Sequence, residues 1–151
     1  MLEEITGTVS ADDAVVASRY PLAPRGILRA LDFIHANLGA SIRLEDMAAA
    51  ARMSVFHFSR TFRKATDMGP HRYLLEMRVE RVKSRLRSGH EALATIAEET
   101  GFSDQSHMSK VFRRFTGMSP KAFRSQPLAR RCPLQAYFET LQRQLQEARR
   151  R

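Results

Sequence analysis

The chain has 151 residues, an apolar fraction of 43% and a net charge of +9 at pH 7, as expected of one globular domain with or without tails. Its apolar runs are shorter than the roughly 18 residues of a membrane span, and its acidic start lacks the pattern of a secretion signal. The single cysteine, Cys132, excludes an internal disulfide, so we expect a protein of the reducing cytoplasm with no membrane partner.

The positive charge is concentrated in the middle and at the end of the chain. Residues 1–24 carry a net charge of −3, residues 25–126 carry +8 and residues 127–151 carry +4. Such a basic excess favours a polyanionic partner, most often nucleic acid. A solvated basic surface without a partner is the alternative that charge alone leaves open.

The first quarter of the chain predicts an arm followed by a helix. Residues 1–24 show little periodicity and contain Pro21 and Pro24, so we expect a mobile or extended arm there. An apolar stripe at helical spacing then predicts a helix from Arg25 to Leu38. The stripe consists of Ile27, Leu28, Leu31, Ile34 and Leu38.

Two short helices separated by a tight turn are predicted next. The first is rich in alanine and runs from Leu44 to Ala51, and small residues of this kind let helices approach closely. Arg52 and Met53 form the turn, and Ser54 is the predicted cap of a helix that runs to about Thr66. Its inward positions are Phe58, Phe62 and Ala65.

A long helix without a breaker is predicted from Pro70 to about Ser88, where Gly89 follows. Its predicted inward residues are Tyr73, Leu74, Met77, Val79, Val82 and Leu86. Its basic residues are expected to cover the remaining, exposed faces. They are Arg72, Arg78, Arg81, Lys83, Arg85 and Arg87.

A second helix pair follows the long helix. A short helix is expected from Glu91 to Thr100, and Gly101 permits a left-handed turn after it. Ser103 or Asp104 can then cap a helix that Gly117 closes. Its inward stripe is Met108, Val111, Phe112 and Phe115. A last helix is predicted from Ser119 to about Gln126, and an apolar stripe from Leu134 to Leu145 predicts one more in the basic tail.

The chain contains an internal repeat of this helix-turn-helix unit. The segment from Met47 to Ser54 recurs at an offset of 49 residues, and the segment from His57 to Pro70 recurs at an offset of 50. One residue is therefore inserted in the turn of the second copy. A plain helical bundle with an accidental echo is the alternative, but the echo covers more than a dozen positions in order.

The spacing of the two copies suits a DNA duplex. The 19 residues of the long helix span roughly 28 Å at about 1.5 Å per residue. Successive major grooves on one face of B-DNA are about 34 Å apart. One chain can therefore be expected to reach two half-sites without dimerising.

The residues of the second copy resemble the AraC/XylS family of bacterial transcription regulators. The resemblance spans about Ile27 to Gln126 and is strongest in the segments Gly101–His107 and Gly117–Pro120. It implies an all-α fold with two helix-turn-helix subdomains, at residues 44–66 and 92–116, joined by a linker helix at residues 70–88. An extra C-terminal helix is expected in the basic tail at residues 127–151.

In this family the second helix of each unit enters the major groove. Carried over by position, the expected base-reading residues are Phe56, Ser59, Arg60, Gln105, Ser106, Ser109 and Lys110, with Val55 at the edge. Arginine and lysine bond guanine, glutamine pairs with adenine, and an aromatic ring can touch a thymine methyl. The expected phosphate contacts are Arg63, Lys64, Arg113 and Arg114.

Three features depart from the family pattern. Arg52 occupies a turn position where the family often has glycine, which predicts strain in the first turn. Asp67 and Gly69 replace the usual glycine and serine of the first closing motif. Neither residues 1–24 nor residues 127–151 resemble the ligand-binding domain of many members, which suggests a stand-alone member or a truncated larger one.

No motif indicates a catalytic site, a cofactor or a metal. No two of the five histidines stand three or four residues apart, and the lone Cys132 offers no ligand partner. A nucleophile elbow and an ordered acid–base pair are both missing from the sequence. The expected function involves binding without bond chemistry.

The sequence therefore predicts a sequence-specific, double-stranded DNA-binding transcription regulator, cytoplasmic and nucleoid-associated, acting as a monomer or weak dimer. Activation by recruiting RNA polymerase is the tendency of the family that it resembles. The tail stripe is expected to pack back onto the domain, or to serve as a partner helix for a dimer or for RNA polymerase. An architectural DNA binder, a basic protein-interaction module and an enzyme fragment are the alternatives.

Overall fold

The computed structural model describes residues 23–126, and all the regular secondary structure in that range is helical. The helices are α1 (Arg25–Ala36), α2 (Leu44–Ala51), α3 (Val55–Thr66), α4 (Pro70–Ser88), α5 (Leu93–Glu99), α6 (Gln105–Thr116) and α7 (Pro120–Arg124). The predicted all-α fold, with α2–α3 and α5–α6 as helix-turn-helix units on the long helix α4, is confirmed. The tail helix, Cys132 and most of the predicted arm lie outside the described residues.

Two hydrophobic cores hold the fold, and α4 contributes to both. The first core packs α1, α2 and α3 against the first half of α4, whose last member in this core is Met77. The second core packs α5 and α6 against the other half of α4, beginning at Val79. Among the buried members, the change from one core to the other falls at residue 78, while the half-buried Leu75 already packs against the second core.

Aromatic contacts organise the centre of each core. In the first core the Phe62 ring lies 5.3 Å from that of Phe58 and 5.5 Å, edge-on, from that of Tyr73. In the second core the rings of Phe112 and Phe123 meet edge-on at 5.3 Å, which fastens α7 to α6. The helices α3 and α6 are thus each anchored through phenylalanines at predicted inward positions.

The repeat extends to the backbone conformation of the turns. Arg52 and Gly101, which correspond in the two copies, both adopt left-handed conformations, with φ of 56° and 85°. Asp67 and Gly117 correspond in the same way, with φ of 60° and 79°. The first copy therefore places L-residues where the second has glycine, and such residues rarely adopt this conformation.

The exposed position predicted for Arg78 is wrong. Its side chain is only 7% exposed, and its Nε donates a hydrogen bond of 3.0 Å to the carbonyl oxygen of Leu38. A second bond of 2.7 Å runs from its Nη2 to the carbonyl oxygen of Ala40. Burial lowers the pKa of the Arg78 guanidinium from its ordinary value.

Some predicted helix ends also differ by one to two residues. α1 ends at Ala36 rather than Leu38, because the Asn37 side chain donates to the carbonyl oxygen of Phe33 at 2.8 Å and the chain turns. α5 begins at Leu93 rather than Glu91. Among the described residues, no helix is both long and apolar enough to cross a membrane.

Candidate nucleic-acid interface

The start of α3 is fixed by a serine cap. The Ser54 hydroxyl accepts the backbone N–H of His57 at 3.3 Å, so the helix begins at Val55. With Phe58 and Phe62 buried in the first core, the opposite face of α3 is turned to solvent. Phe56 lies on that face and is 72% exposed, which is unusual for so large an apolar side chain.

The exposed ring of Phe56 contacts the side chain of an arginine. The guanidinium carbon of Arg60 lies 5.6 Å from the centre of the Phe56 ring, within the range of a cation–π contact. Arg63 and Lys64 are also exposed, and Ser59 is half-buried. An open surface groove of about 630 Å³ on this face is lined by Phe56, His57, Arg60, Thr61, Arg63 and Lys64.

The start of α6 is fixed by an aspartate cap. Asp104 Oδ1 accepts the backbone N–H of His107 at 2.7 Å, and this bond is the main reason that the pKa of Asp104 is lowered. The Ser103 hydroxyl donates to Asp104 Oδ2 at 3.2 Å and lies 3.1 Å from His107 Nδ1. The charged carboxylate at the helix start complements the positive end of the helix dipole.

The two caps locate the inserted residue of the second copy. Ser54 and Asp104 both accept the backbone N–H of a histidine three residues later, so they are equivalent at the offset of 50 residues. Before the caps, Met53 and Phe102 both donate to a carbonyl five residues earlier at 3.0 Å, which preserves the offset of 49. The extra residue is therefore Ser103, whose hydroxyl donates a hydrogen bond to the capping carboxylate of Asp104.

The predicted site residues all lie on α3 and α6. Each helix has 12 residues. Nine of the eleven predicted side chains are exposed: Phe56, Arg60, Arg63, Lys64, Gln105, Ser106, Lys110, Arg113 and Arg114. The other two, Ser59 and Ser109, correspond in the repeat and are half-buried. The structure thus presents two surfaces on well-packed helices: α3 offers an aromatic ring, a hydroxyl and cations, and α6 offers an amide, hydroxyls and cations.

The sequence prediction left out basic residues at the start of the linker helix. A cleft of about 260 Å³ lies between the beginning of α4 and the end of α6, and we name it the basic cleft. Its lining residues are His71, Arg72, Leu75, Arg114 and Phe115. Arg114, a predicted phosphate contact, therefore shares a cleft with two basic residues of α4. Arg114 is more than 40 residues from His71 and Arg72 in sequence, so no local sequence pattern predicts that they line one cleft.

The chemical groups on the outer faces of α3 and α6 indicate what kind of partner they can bind. No group of three or more histidine, cysteine, aspartate or glutamate side chains within residues 23–126 is arranged to hold a metal ion. Apart from Val55 and Phe56, the groups that face solvent on α3 and α6 are hydrogen-bond donors, acceptors and cations. Such groups suit recognition of a polar, anionic surface.

Known proteins similar to this chain share its helix-turn-helix architecture. Residues 47–126 match the family profile described as "Helix-turn-helix domain". A putative AraC-like transcription regulator from Streptomyces antibioticus is 33% identical over 118 residues, which cover 78% of this chain and 39% of that protein. Regulatory protein PocR from Salmonella typhimurium is 34% identical over 98 residues, covering 65% of this chain and 32% of PocR. The chain therefore matches less than two fifths of the length of these relatives.

Solved structures are similar over the same region. The DNA-binding domain of AdpA, a global transcriptional factor crystallised in complex with a target DNA, is 29% identical with a TM-score of 0.67. The similarity covers 72% of this chain and 97% of the AdpA domain. An AraC-type regulator from Chromobacterium violaceum has a TM-score of 0.63 at 24% identity, covering 74% of this chain and 98% of that one, and supports the fold alone.

Proposed function

The chain belongs to the AraC family of helix-turn-helix transcription regulators, and on that premise we propose that it is a sequence-specific, double-stranded DNA-binding regulator. The observation that carries the proposal is the pair of equivalent exposed helices, α3 and α6. Both have caps at the same repeat position and polar or cationic side chains on the outer face. The AdpA domain, which has this fold, was crystallised on a target DNA.

Base reading is proposed for the outer faces of both helices. On α3, Arg60 would fork onto a guanine edge, while Phe56 would touch a thymine methyl and Ser59 would bond either kind of base. On α6, Lys110 would donate to guanine as a point charge and Gln105 would pair with adenine. Ser106 and Ser109 complete that surface as short hydroxyl donors and acceptors.

Phosphate contacts are proposed for the cations at the ends of the same helices. Arg63 and Lys64 are in the last turn of α3, and Arg113 and Arg114 are in the last turn of α6. Arg72 belongs with this set because it lines the basic cleft beside Arg114. Contacts of this kind fix the register of a protein on the duplex and make its affinity depend on salt.

The linker helix supports simultaneous reading of two grooves. Its 19 residues give a length of roughly 28 Å, close to the separation of about 34 Å between successive major grooves. This helix contributes buried residues to the cores of both units, so it is a structural part of each. We propose that units at residues 44–66 and 92–116 place α3 and α6 in successive major grooves.

The sign of regulation and the assembly are proposed from the family. The family consists of DNA-binding regulators rather than enzymes, and activation by recruiting RNA polymerase is its tendency. We propose an activator that acts as a monomer or weak dimer in the cytoplasm, associated with the nucleoid. The chain fits a small stand-alone regulator or the DNA-binding part of a larger one.

Selection of bound sequences from a random DNA library tests the proposal. The full chain should enrich a two-part motif at about 150 mM salt, where non-specific contacts are screened. Uniform retention of all sequences would indicate an architectural DNA binder instead. A chain that retains no DNA would contradict the proposal and favour a protein-interaction module.

A further inference from the structure

Arg78 occupies the boundary between the two halves of the molecule. Its neighbour Met77 belongs to the first core and its other neighbour, Val79, belongs to the second. Although Arg78 stands on the linker helix, both of its hydrogen bonds run to the loop after α1, at Leu38 and Ala40. The side chain therefore ties the middle of α4 to the first unit.

The arginine bonds to backbone carbonyls and not to a carboxylate. None of the ion pairs found within residues 23–126 involves Arg78, although they do involve Lys83 and Arg85 on the same helix. Burying a charge is costly unless hydrogen bonds compensate for the lost water. The Leu38 and Ala40 carbonyls offer that compensation beyond the end of α1, where the helix dipole also favours a cation.

The second unit touches the same place. A methyl group added at Gly101, in the turn between α5 and α6, would collide with the Leu38 carbonyl oxygen and with the Arg78 guanidinium. A methyl group added at Gly39 would come within 2.7 Å of the Glu99 carbonyl oxygen at the end of α5. The backbones of the two units thus meet closely around one guanidinium.

We infer that Arg78, with the close backbone contacts of Gly39 and Gly101, is a positioning joint that sets the distance and angle between α3 and α6. This inference rests on the proposed function, since the spacing matters only if both helices read DNA. Each unit packs on α4 through its own core, and such packing permits some rocking of one unit against the other. The joint opposes rocking because it ties the units directly together.

The functional consequence is selectivity for one half-site spacing. When one helix is bound, a rigid partner helix is held at high effective concentration over a single register of the duplex. A loosened joint spreads the same helix over several registers. The affinity for the preferred spacing then falls, so the difference in affinity between that spacing and the others becomes smaller. The affinity for each isolated half-site does not change.

The decisive experiment uses Arg78→Met, which keeps an apolar stem of similar length and removes both hydrogen bonds. Binding of the full chain is measured on two-part sites whose half-sites are moved apart or together one base pair at a time. We expect affinity at the preferred spacing to fall roughly tenfold and the spacing profile to flatten, with unchanged affinity for isolated half-sites. Arg81→Met, an exposed cation on the same helix, is the matched control and should keep the wild-type profile.

Thermal melting first establishes that Arg78→Met folds. If it does not, Gly39→Ala replaces it, because the added methyl group presses on the Glu99 carbonyl without removing a charge. An unchanged spacing profile in the folded variant overturns the inference. A wild-type chain that enriches no sequence contradicts the proposed function instead.

A measurement without DNA further distinguishes failure of the inferred joint from failure of the proposed DNA-binding function. Spin labels are attached to cysteines that replace the exposed Ala49 on α2 and Ala94 on α5, in a chain whose own cysteine is removed by Cys132→Ser. The labels report the distance between the two units. We expect a narrow distance distribution in the parent chain and a broader one after Arg78→Met. Equal widths would overturn the joint whatever the chain does with DNA.

Discussion

The guanidinium carbon of Arg60 lies 5.6 Å from the centre of the Phe56 ring, one helical turn earlier on the exposed face of α3. Both residues are exposed and neither belongs to the buried core. A planar guanidinium held over an aromatic face keeps its outer donors free for a guanine edge. We therefore propose that the pair is a preorganised reader for the first half-site.

Replacing Arg60 by alanine should relax specificity in one half-site. The loss of a forked contact to guanine is expected to cost about 1–3 kcal/mol on the preferred sequence and much less on a site with that base pair changed. Binding to a panel of singly substituted sites measures the difference. The stability of the fold should change by less than about 0.5 kcal/mol, because the side chain is exposed.

Arg63→Ala is the matched control for that experiment. As a proposed phosphate contact it should weaken binding by a similar factor on every sequence and lower the slope of log K against log salt by about one. If Arg60→Ala behaves in the same uniform way, Arg60 contacts phosphate, and the assignment of α3 as a base-reading helix loses its main residue.

Lys110→Ala should act in the other half-site. Lys110 stands at the repeat position of Arg60 on α6, but its ammonium is a point charge without the planar fork. We expect a smaller loss of about 1 kcal/mol, confined to substitutions in the second half-site. The same panel of sites measures it. A loss that maps to the first half-site would contradict the proposed order of the two helices on DNA.

The helical framework could be predicted because local signals agree with the fold. Ser54 is recognisable as a cap, Asp104 as one of two candidate caps, and Pro70 and Pro120 as first residues of helices, because each solves a local hydrogen-bonding or backbone problem. The internal repeat supports the helices of the two helix-turn-helix units a second time, because the same local signals recur in both copies. Of the predicted inward phenylalanines of α3 and α6, Phe58, Phe62 and Phe112 are buried and Phe115 is half-buried.

Long-range contacts of charged residues could not be predicted in this way. Arg78 was assigned to an exposed face because arginine is usually exposed, and its carbonyl partners lie about 40 residues away in sequence. One signal pointed inward: Arg78 stands four residues after Leu74 and four before Val82, both buried. Arg85 of α4 pairs with Glu91, which precedes α5, and with Glu99 at the end of α5, and these pairs likewise depend on how the helices pack.

Gly101 and Gly117, the two glycines with positive φ in the second unit, should differ in their tolerance of alanine. Gly101→Ala must adopt a positive φ and also collide with the Leu38 carbonyl, whereas a methyl group at Gly117 meets no atom within 4 Å. Gly117→Ala is expected to lower the free energy of unfolding by about 1 kcal/mol through backbone strain alone. Gly101→Ala should cost more than about 2 kcal/mol, since a clash is added.

Urea denaturation of both variants, followed by circular dichroism, measures the two costs. Arg52→Gly offers a test in the opposite direction, because Arg52 is the L-residue at the repeat position of Gly101. Removing its strain should raise stability or leave it unchanged. Equal costs for Gly101→Ala and Gly117→Ala would mean that the close approach to Leu38 does not hold in solution.

The aspartate cap of α6 should make stability depend on acid. The pKa of Asp104 is lowered, first by the His107 backbone N–H, so its folded-state pKa lies below its unfolded value of about 3.9. The stabilisation is therefore fully present above about pH 4 and is lost as the pH falls through the folded-state pKa. Melting temperatures of wild type and Asp104→Asn should differ at neutral pH and converge in acid.

Ser54→Ala serves as the control for the acid experiment. It removes the equivalent cap of α3, which has no ionisable group, so its melting temperature should stay below that of the wild type by a constant amount across the same pH range. A difference between wild type and Asp104→Asn that persists unchanged below about pH 3 would contradict the charged cap.

The central claim is that one chain reads two successive major grooves with α3 and α6. A hydroxyl-radical footprint of the full chain on its best site, with the number of bound chains determined by sedimentation, tests it most directly. We expect one chain per site and two protected segments on one face of the duplex, about 10 base pairs apart. A single protected groove, or two protected grooves that require two chains, would contradict the claim.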